Sequence, residues 1–388
     1  MTSAGPATTV AEVRRGQVNR AALLGMLALV VAVIWAVTRV GPQTTSDLAA
    51  DSARALDWPN PGLDGLQAYN RTSPVGPLLL RLIPGADETT YFVLHLVAAF
   101  IAVGLIAAWP AFLAAPGQRL RAARLMILGP VTASVFISIG NYDPFTLIGL
   151  GLFLFAWSSG KSYSRFLMVA TGVYLGFQHF EQTLFAVIAM SIGVLALRSR
   201  LPESLAGKPT PAWGIPGVLL GKVILSLVFV LQGIDPLEGR GAYIADEGLL
   251  REALVASVNH FPVLLMSLFA GLWVVAGLAF FRVPDFRSRL LLLASAAIPF
   301  VVAVSTLAQT RVFIMAMLPL VAVMVVVVLS DQKLLAIPAV LFTVELLAWV
   351  SVPQNLYVSP GNGARIMDTN ALDYVIMLGS RVGSLLFG

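Results

Sequence analysis

Side chains able to do chemistry are scarce in this chain, and several of them interrupt apolar runs. The stretch GFQHFEQTLF covers residues 176–185, and GNYDP covers residues 140–144. Carboxylate and imidazole groups exchange protons, and amide and phenol groups bind polar ligands. Ionisable residues within apolar segments are candidates for function, because burying them without a purpose is costly. The candidates in these two stretches are Asn141, Tyr142, Asp143, Gln178, His179, Glu181 and Gln182.

Composition identifies the setting of these residues as a membrane. The chain has 388 residues, of which 58% are hydrophobic and 12% charged, and its mean hydropathy is +0.85. Soluble domains are about half apolar and about a quarter charged. The absence of cysteine excludes disulfides, thiolate nucleophiles and cysteine-ligated zinc.

Apolar segments long enough to span a bilayer recur along the whole sequence. They predict an all-α, polytopic transmembrane bundle of about eleven spans and a single domain, 1–388. Residues 1–20 are expected to form a disordered cytoplasmic tail, and 41–88 a large first outer loop. A possible further helix covers 371–388. The predicted spans are 21–38, 90–109, 125–140, 144–158, 165–180, 182–197, 214–232, 260–281, 290–308, 312–329 and 334–352.

Charge distribution predicts the orientation of these spans. With the N-terminus inside, the cytoplasmic segments hold fifteen basic and four acidic residues, and the opposite segments nine basic and fifteen acidic ones. Short loops rich in Lys and Arg stay in the cytoplasm. The basic excess is therefore a topology signal and not a footprint for nucleic acid.

The same bias predicts a fold-back within residues 165–198. Arg165 and Arg198 both belong inside, and a single helix between them would be roughly 48 Å long, against a hydrocarbon core of about 30 Å. The segment must reverse at QHFEQ, and residues 125–158 must reverse at GNYDP. Each arm is short, so both turns are expected below the outer surface. Polar backbone at that depth requires a protein interior or a wet cavity, so an extracytoplasmic cavity is predicted.

Further polar residues fall on the predicted outer side or within spans. His260, Gln309 and Arg311 belong to outer turns, and Lys222 and Glu345 lie within spans, where they are expected to pair. Taken singly, each histidine could be an ordinary helix-end residue, Arg311 an interfacial cation, and Asp143 a helix cap. Because most of these polar residues are predicted on the same, outer side of the membrane, a shared site is favoured.

The first outer loop carries a pattern that resembles the GT-C superfamily of integral membrane glycosyltransferases. Asp47 follows the first span closely, and Asp51 and Arg54 share its face of a short helix. Tyr69 and the proline-rich run 73–78 then lead into the second span. The outward hairpins and the outer Arg311 add to the resemblance, whereas the paired adjacent acids and the C-terminal soluble domain of larger members are missing.

The resemblance implies transfer of a sugar from a polyprenyl-phosphate carrier to a glycan or glycolipid acceptor outside the cell membrane. Asp47 would be the general base, with Asp51 and Asp143 as the other acids, and Arg311 and His179 would face the leaving phosphate. No metal or other cofactor is implied. The substrate-binding residues implied are Asp51, Tyr69, Asn141, Tyr142, Asp143, His179, Glu181, Gln182, His260, Gln309 and Arg311.

Three other classes of protein remain open at this point. A polysaccharide polymerase or ligase would share the lipid-linked substrate, although polymerases usually have a larger late outer loop than residues 233–258. A transporter would be expected to show internal repeats, which are not visible. A metal-dependent lipid hydrolase would need a ligand spacing that the three histidines do not have.

Overall fold

The computed structural model describes residues 7–38, 48–59, 72–160, 163–236, 248–306, 308–351, 355–359 and 363–367. The backbone alone is described at 7–22 and in the two final segments. The tail expected to be disordered to residue 20 is instead helical from Ala7. Residues 10–20 contain no proline and one glycine, so nothing in their sequence opposes continuation of the first helix.

The chain is helical in almost all of its described parts. The helices are α1 Ala7–Thr38, α2 Leu48–Leu56, α3 Val75–Arg81, α4 Glu88–Leu113, α5 Arg119–Leu128, α6 Pro130–Phe136, α7 Asp143–Ser158, α8 Ser164–Ala196, α9 Glu203–Ala206, α10 Gly214–Leu231, α11 Leu249–Asn259, α12 Phe261–Phe269, α13 Trp273–Arg282, α14 Phe286–Val304, α15 Gln309–Ser330, α16 Gln332–Leu335 and α17 Pro338–Val350. Single 3₁₀ turns occupy Pro116–Gln118, Arg198–Arg200, Pro211–Trp213 and Ala270–Leu272.

Length and composition make this a membrane protein. Six helical segments of the described chain are long and apolar enough to cross a bilayer: Glu88–Leu113, Ser164–Ala196, Pro211–Leu231, Phe261–Arg282, Phe286–Val304 and Gln309–Ser330. Leu23–Thr38, Asp143–Ser158 and Pro338–Val350 are shorter apolar helices. The segment Gln309–Ser330 is buried along its whole apolar window, so α15 is the central helix around which the others pack.

Side-chain contacts define two ends of the bundle. At the first, here called the basic end, the Trp157 indole donates to Pro209 O at 2.8 Å and Lys208 donates to Ser159 O at 2.9 Å. Arg165 lies over the Trp213 ring at 5.1 Å. The end of α7 and the starts of α8 and α10 therefore lie together. The opposite end, here called the site end, holds the starts of α4, α7 and α15.

Helix α8 folds back on itself at His179, as the charge distribution predicted. His179 has non-helical backbone angles (φ −164°, ψ 76°), and the Thr183 hydroxyl reaches Leu175 O at 3.2 Å. Eight residues of straight helix would separate these groups by about 12 Å. Gly214 lies against both Gly172 and Val187, fifteen residues apart in α8. The two arms of α8 are therefore neighbours, and both return to the basic end.

The first arm of α8 packs directly against α10 because glycines line both helices. A Cβ atom at Gly176 would lie 1.9 Å from Val218 O, and one at Gly217 would lie 2.1 Å from Val169 O. Backbones this close allow no side chain between them. Small residues at this contact hold the hairpin apex at a fixed height along α10.

Two of the predicted spans are broken, 125–140 near its start and 260–281 near its middle. Helices α5 and α6 meet at Gly129, and α12 and α13 meet at Ala270, which has the unusual angles φ 46° and ψ −128°. A Cβ at Gly129 would lie 2.9 Å from a Leu272 methyl group, so the breaks are adjacent. A non-glycine residue at positive φ stores strain. The Gly129-Pro130 pair is a local signal for the first break, whereas the apolar run around Ala270 conceals the second.

The predicted pairing of Lys222 with Glu345 is wrong. The Glu345 carboxylate lies 3.1 Å from Arg121 Nε and 2.5 Å from Arg124 Nη2, so it joins α17 to α5 near the basic end. Lys222 Nζ lies 3.8 Å from Glu181 Oε1. Both charges do find partners of opposite sign, as the cost of burying them requires, but those partners belong to other helices.

A short β-hairpin follows α17 and was not expected from the sequence. Strands β1 Asn355–Ser359 and β2 Gly363–Met367 are antiparallel, with Tyr357 opposite Arg365. Strand β1 contacts α12 and α15. The run NLYVS-PGN-GARIM carries a recognisable turn signal between two β-prone stretches. The possible helix at 371–388 lies outside the described residues.

Candidate functional site

The two polar turns meet at the site end of the bundle. Gln178, at the apex of α8, donates through Nε2 to Tyr142 O at 3.3 Å. Its Oε1 accepts from the backbone amide of Val75 at 3.0 Å. One buried amide therefore joins the α8 apex, the GNYDP turn and the start of α3. The sequence marked Gln178 as polar in an apolar run but gave no signal of this bridging role.

The apex of α8 lies well below the far end of α10. Gly221 of α10 meets Val173 and Phe177 of the first arm, and Lys222 meets Glu181 just beyond the apex. Helix α10 continues nine residues further, to Leu231, which is a rise of about 14 Å. The polar apex is thus level with the middle of a helix long enough to span the membrane.

Asp143 and Arg311 form the central ion pair of the site. Arg311 Nε lies 3.1 Å from Asp143 Oδ2, and the two side chains are 15% and 12% exposed. The Asp143 oxygen has no well-directed hydrogen bond among the described groups, so the contact is chiefly electrostatic. Asp143 is the first residue of α7, and its carboxylate faces Arg311 instead of making a capping bond. A guanidinium binds anionic ligands such as phosphate through charge-assisted hydrogen bonds.

The second arm of α8 runs beside this ion pair. Gln182 Nε2 lies 3.4 Å from Val312 O, next to Arg311, while its Oε1 is buried without a donor in the described part of the chain. His179 is buried and its carbonyl accepts from the Thr183 hydroxyl at 2.7 Å. The structure therefore brings Gln182, Asp143 and Arg311 into one polar region, and His179 lies three residues before Gln182 at the fold-back of α8.

Aromatic side chains hold the GNYDP turn in place. The Tyr91 hydroxyl donates to Gly140 O at 2.5 Å, and the His95 ring lies 4.1 Å from the Tyr91 ring and 5.6 Å from the Tyr142 ring. Asn141 is half-buried at the turn, and its amide donates to Ser138 O at 3.1 Å. Tyr91 was missed by sequence reasoning, because an aromatic residue near a helix start is common.

His95 belongs to this aromatic cluster and is fully buried. Its Nδ1 lies 2.9 Å from Tyr91 O, where it donates, so Nε2 is left as an acceptor. No described group donates to Nε2. Unsatisfied buried acceptors in this region thus include an imidazole nitrogen as well as the Gln182 amide oxygen.

The short helix α2 places one further predicted residue beside the turn. Asp51 pairs with Arg54 at 2.8 Å, as the helical spacing predicted, and lies within electrostatic range of Tyr142. Ala55 of the same helix packs into the cluster around Tyr142. Asp47 and Tyr69 lie outside the described residues.

No described contact places Gln309 or His260 in this polar region. Gln309 Nε2 donates to Ala253 O and to the Ser257 hydroxyl, both at 2.7 Å, so its side chain joins α15 to α11. His260 lies half-buried between α11 and α12 and caps α12 without a side-chain hydrogen bond. Both residues were expected in the site, but the structure places each of them at a junction between helices.

Glu181 faces away from Arg311 toward α10. Its Oε1 lies near Lys222, and Lys222 Nζ also lies 5.6 Å from the centre of the Phe180 ring. A small apolar cavity lies elsewhere, beside the Gly129 break, and is lined by Leu272 and Met317 among others. No cluster of three or more His, Asp or Glu residues suited to a metal occurs among the described residues.

Comparison of the chain with protein-family models, curated proteins and solved structures finds no match.

Proposed function

We propose that this membrane protein is a glycosyltransferase of the GT-C kind. It moves a sugar from a polyprenyl-phosphate carrier to a glycan or glycolipid acceptor, and its reaction site faces the outside of the cell. Its N-terminus is cytoplasmic, and about eleven spans surround a cavity at the site end. In this orientation the basic end lies in the cytoplasm, in agreement with the bias of short loops.

The observation that carries the proposal is the composition of the recessed polar region. Arg311 offers a guanidinium that is held near Asp143 by an undirected contact, and it can bind a phosphate. Gln182 Oε1 and His95 Nε2 are buried acceptors for which no described group is a donor. Buried acceptors require donors, and sugar hydroxyls are donors. A cation beside several acceptors therefore matches a sugar attached to a phosphate.

The chemical step needs a base and a stabilised leaving group. The base removes the acceptor hydroxyl proton as that oxygen attacks the anomeric carbon, and the carbon–oxygen bond to the carrier phosphate breaks. Asp47 is the proposed base, because the carboxylates of Asp51 and Asp143 are engaged with Arg54 and Arg311. Arg311 and His179 stabilise the negative charge that develops on the departing lipid phosphate.

The proposal is tested by incubating purified protein with a panel of radiolabelled polyprenyl-phosphate sugars and membrane glycolipid acceptors. Label should move from carrier to acceptor with at least one donor. Formation of polymer in place of a single-sugar product would indicate a polymerase. Uptake of labelled solute into vesicles without covalent transfer would contradict the proposal and favour a transporter.

A further inference from the structure

The ion pair between Lys222 and Glu181 lies outside the region assigned to transfer. Its two charged atoms are 3.8 Å apart, and the side chains are 24% and 36% exposed. The pair sits at the middle of α10, about 14 Å below its end. A partly exposed ion pair at that depth is costly unless polar groups or a ligand surround it.

The neighbours of Lys222 on α10 identify what lies beside the pair. Leu219, Leu220 and Val223 are each about half exposed and form an apolar surface typical of contact with lipid tails. On the opposite face, Gly221 is buried against the first arm of α8. Lys222 therefore lies at the boundary between the protein interior and the bilayer.

The Glu181 carboxylate is weakly held. Oε1 makes the long contact with Lys222, and Oε2 is buried without a hydrogen-bond partner in the described residues. A carboxylate normally accepts several hydrogen bonds, so this arrangement leaves most of its capacity unused. A ligand that supplied hydroxyl donors would be favoured as a new partner, and turning the side chain would break one loose contact.

The fold-back of α8 that carries Glu181 also reaches the transfer site. Gln182, the residue after Glu181, lies beside Val312, which follows Arg311 in the chain, and His179 lies two residues before Glu181. Two adjacent residues of α8, Glu181 and Gln182, thus connect a charged pair at the bilayer boundary with a polar region inside the protein.

We infer that Lys222 and Glu181 form a receiving site for the headgroup of the donor lipid as it enters sideways from the bilayer. Lys222 binds the phosphate, and Glu181 turns to accept hydrogen bonds from the sugar hydroxyls. The apolar surface of Leu219, Leu220 and Val223 contacts the hydrocarbon chain. This inference rests on the proposed function and adds a binding site that precedes the transfer site.

The test uses the double variant Lys222→Gln/Glu181→Gln, which removes both charges together and leaves no unpaired ion. The expected result is a donor KM raised about 10- to 100-fold, with kcat at saturating donor unchanged, because a charged hydrogen-bonded contact is lost before the chemical step. Lys222→Arg should keep the wild-type KM. Arg251→Gln, which removes an exposed cation on α11, is the matched control.

Binding competition identifies the ligand. A fluorescent polyprenyl-phosphate sugar bound to wild-type protein should be displaced best by the unlabelled donor, less well by polyprenyl phosphate, and not by phosphatidylglycerol. Equal displacement by phosphatidylglycerol would overturn the inference, since the pair would then bind any anionic lipid. A folded double variant with unchanged donor KM would also overturn the receiving site. The proposed function would still stand in that case, provided that the wild-type protein transfers the sugar. A wild-type protein without transfer or donor binding would overturn both.

Discussion

At the scale of single residues, the Asp143–Arg311 pair is the feature on which the site depends most. Both side chains are mostly buried, so removal of one takes away the ion-pair partner of the other. We expect Arg311→Leu to lower the free energy of unfolding by about 3 kcal/mol or more. The variant Asp143→Leu/Arg311→Leu should recover much of that loss while remaining unable to bind donor.

Thermal unfolding in detergent and donor binding, measured on both single variants and the double variant, check this prediction. Strictly additive losses of stability would show that the two residues do not interact. Full donor binding by the double variant would show that the pair is structural alone.

Sequence reasoning found these residues but could not find their partners. Asp143, Glu181 and Arg311 stand out because polar residues are rare in apolar surroundings, and the structure places two of them in contact. The expected pairing of Lys222 with Glu345 failed because hydropathy fixes depth but not which helices are neighbours. Glu345 meets Arg121 and Arg124, more than 200 residues away along the chain.

At the scale of elements, the reversal of α8 is the part of the fold that physical reasoning predicted best. Arg165 and Arg198 are both predicted on the cytoplasmic side, and the run between them is too long for one span, so the chain must reverse between them. The reversal occurs at His179. Length gave no signal for the breaks at Gly129 and Ala270, because a span of ordinary length needs no interruption, but the Gly129-Pro130 pair is a local signal for the first. The final β-hairpin has a turn signal in the sequence PGN between its strands, which hydropathy alone does not reveal.

The contact between α8 and α10 gives a prediction at this scale. Gly176→Ala should destabilise the protein by several kcal/mol, because its Cβ would lie 1.9 Å from Val218 O and the helices would have to separate. Gly104→Ala in α4 is the matched control. No atom of the described residues lies within 4 Å of its Cβ position, so helix propensity should make it neutral or stabilising by up to about 1 kcal/mol.

Thermal unfolding of the two glycine variants side by side is the measurement. Equal melting temperatures for Gly176→Ala and wild type would contradict the close approach of the two helices. A loss of stability in Gly104→Ala comparable to that in Gly176→Ala would mean that alanine is harmful in any of these helices.

At the scale of the whole molecule, orientation in the membrane decides where chemistry takes place. The chain has no cysteine, so single cysteines report position without background. Thr89 and Asn259 are exposed near the site end, and Ser204 is exposed at the basic end. We expect Thr89→Cys and Asn259→Cys to react with a membrane-impermeant thiol reagent on intact cells, and Ser204→Cys to react only after lysis. The reverse pattern would contradict the proposed orientation.

The most direct test of the proposed transfer is a single-turnover measurement with donor binding determined on the same samples. Asp47→Asn should reduce transfer by about 10²- to 10⁴-fold and leave donor binding nearly unchanged, because a general base acts on the chemical step. Arg311→Ala should weaken both, since a phosphate contact exists before and during transfer. Asp57→Asn, a change to an exposed acid in the same loop, should resemble wild type. The assignment of the base would be contradicted if Asp47→Asn kept near-normal turnover while Asp51→Asn or Asp143→Asn lost activity. The proposed glycosyltransferase would be contradicted if all of these variants kept full activity.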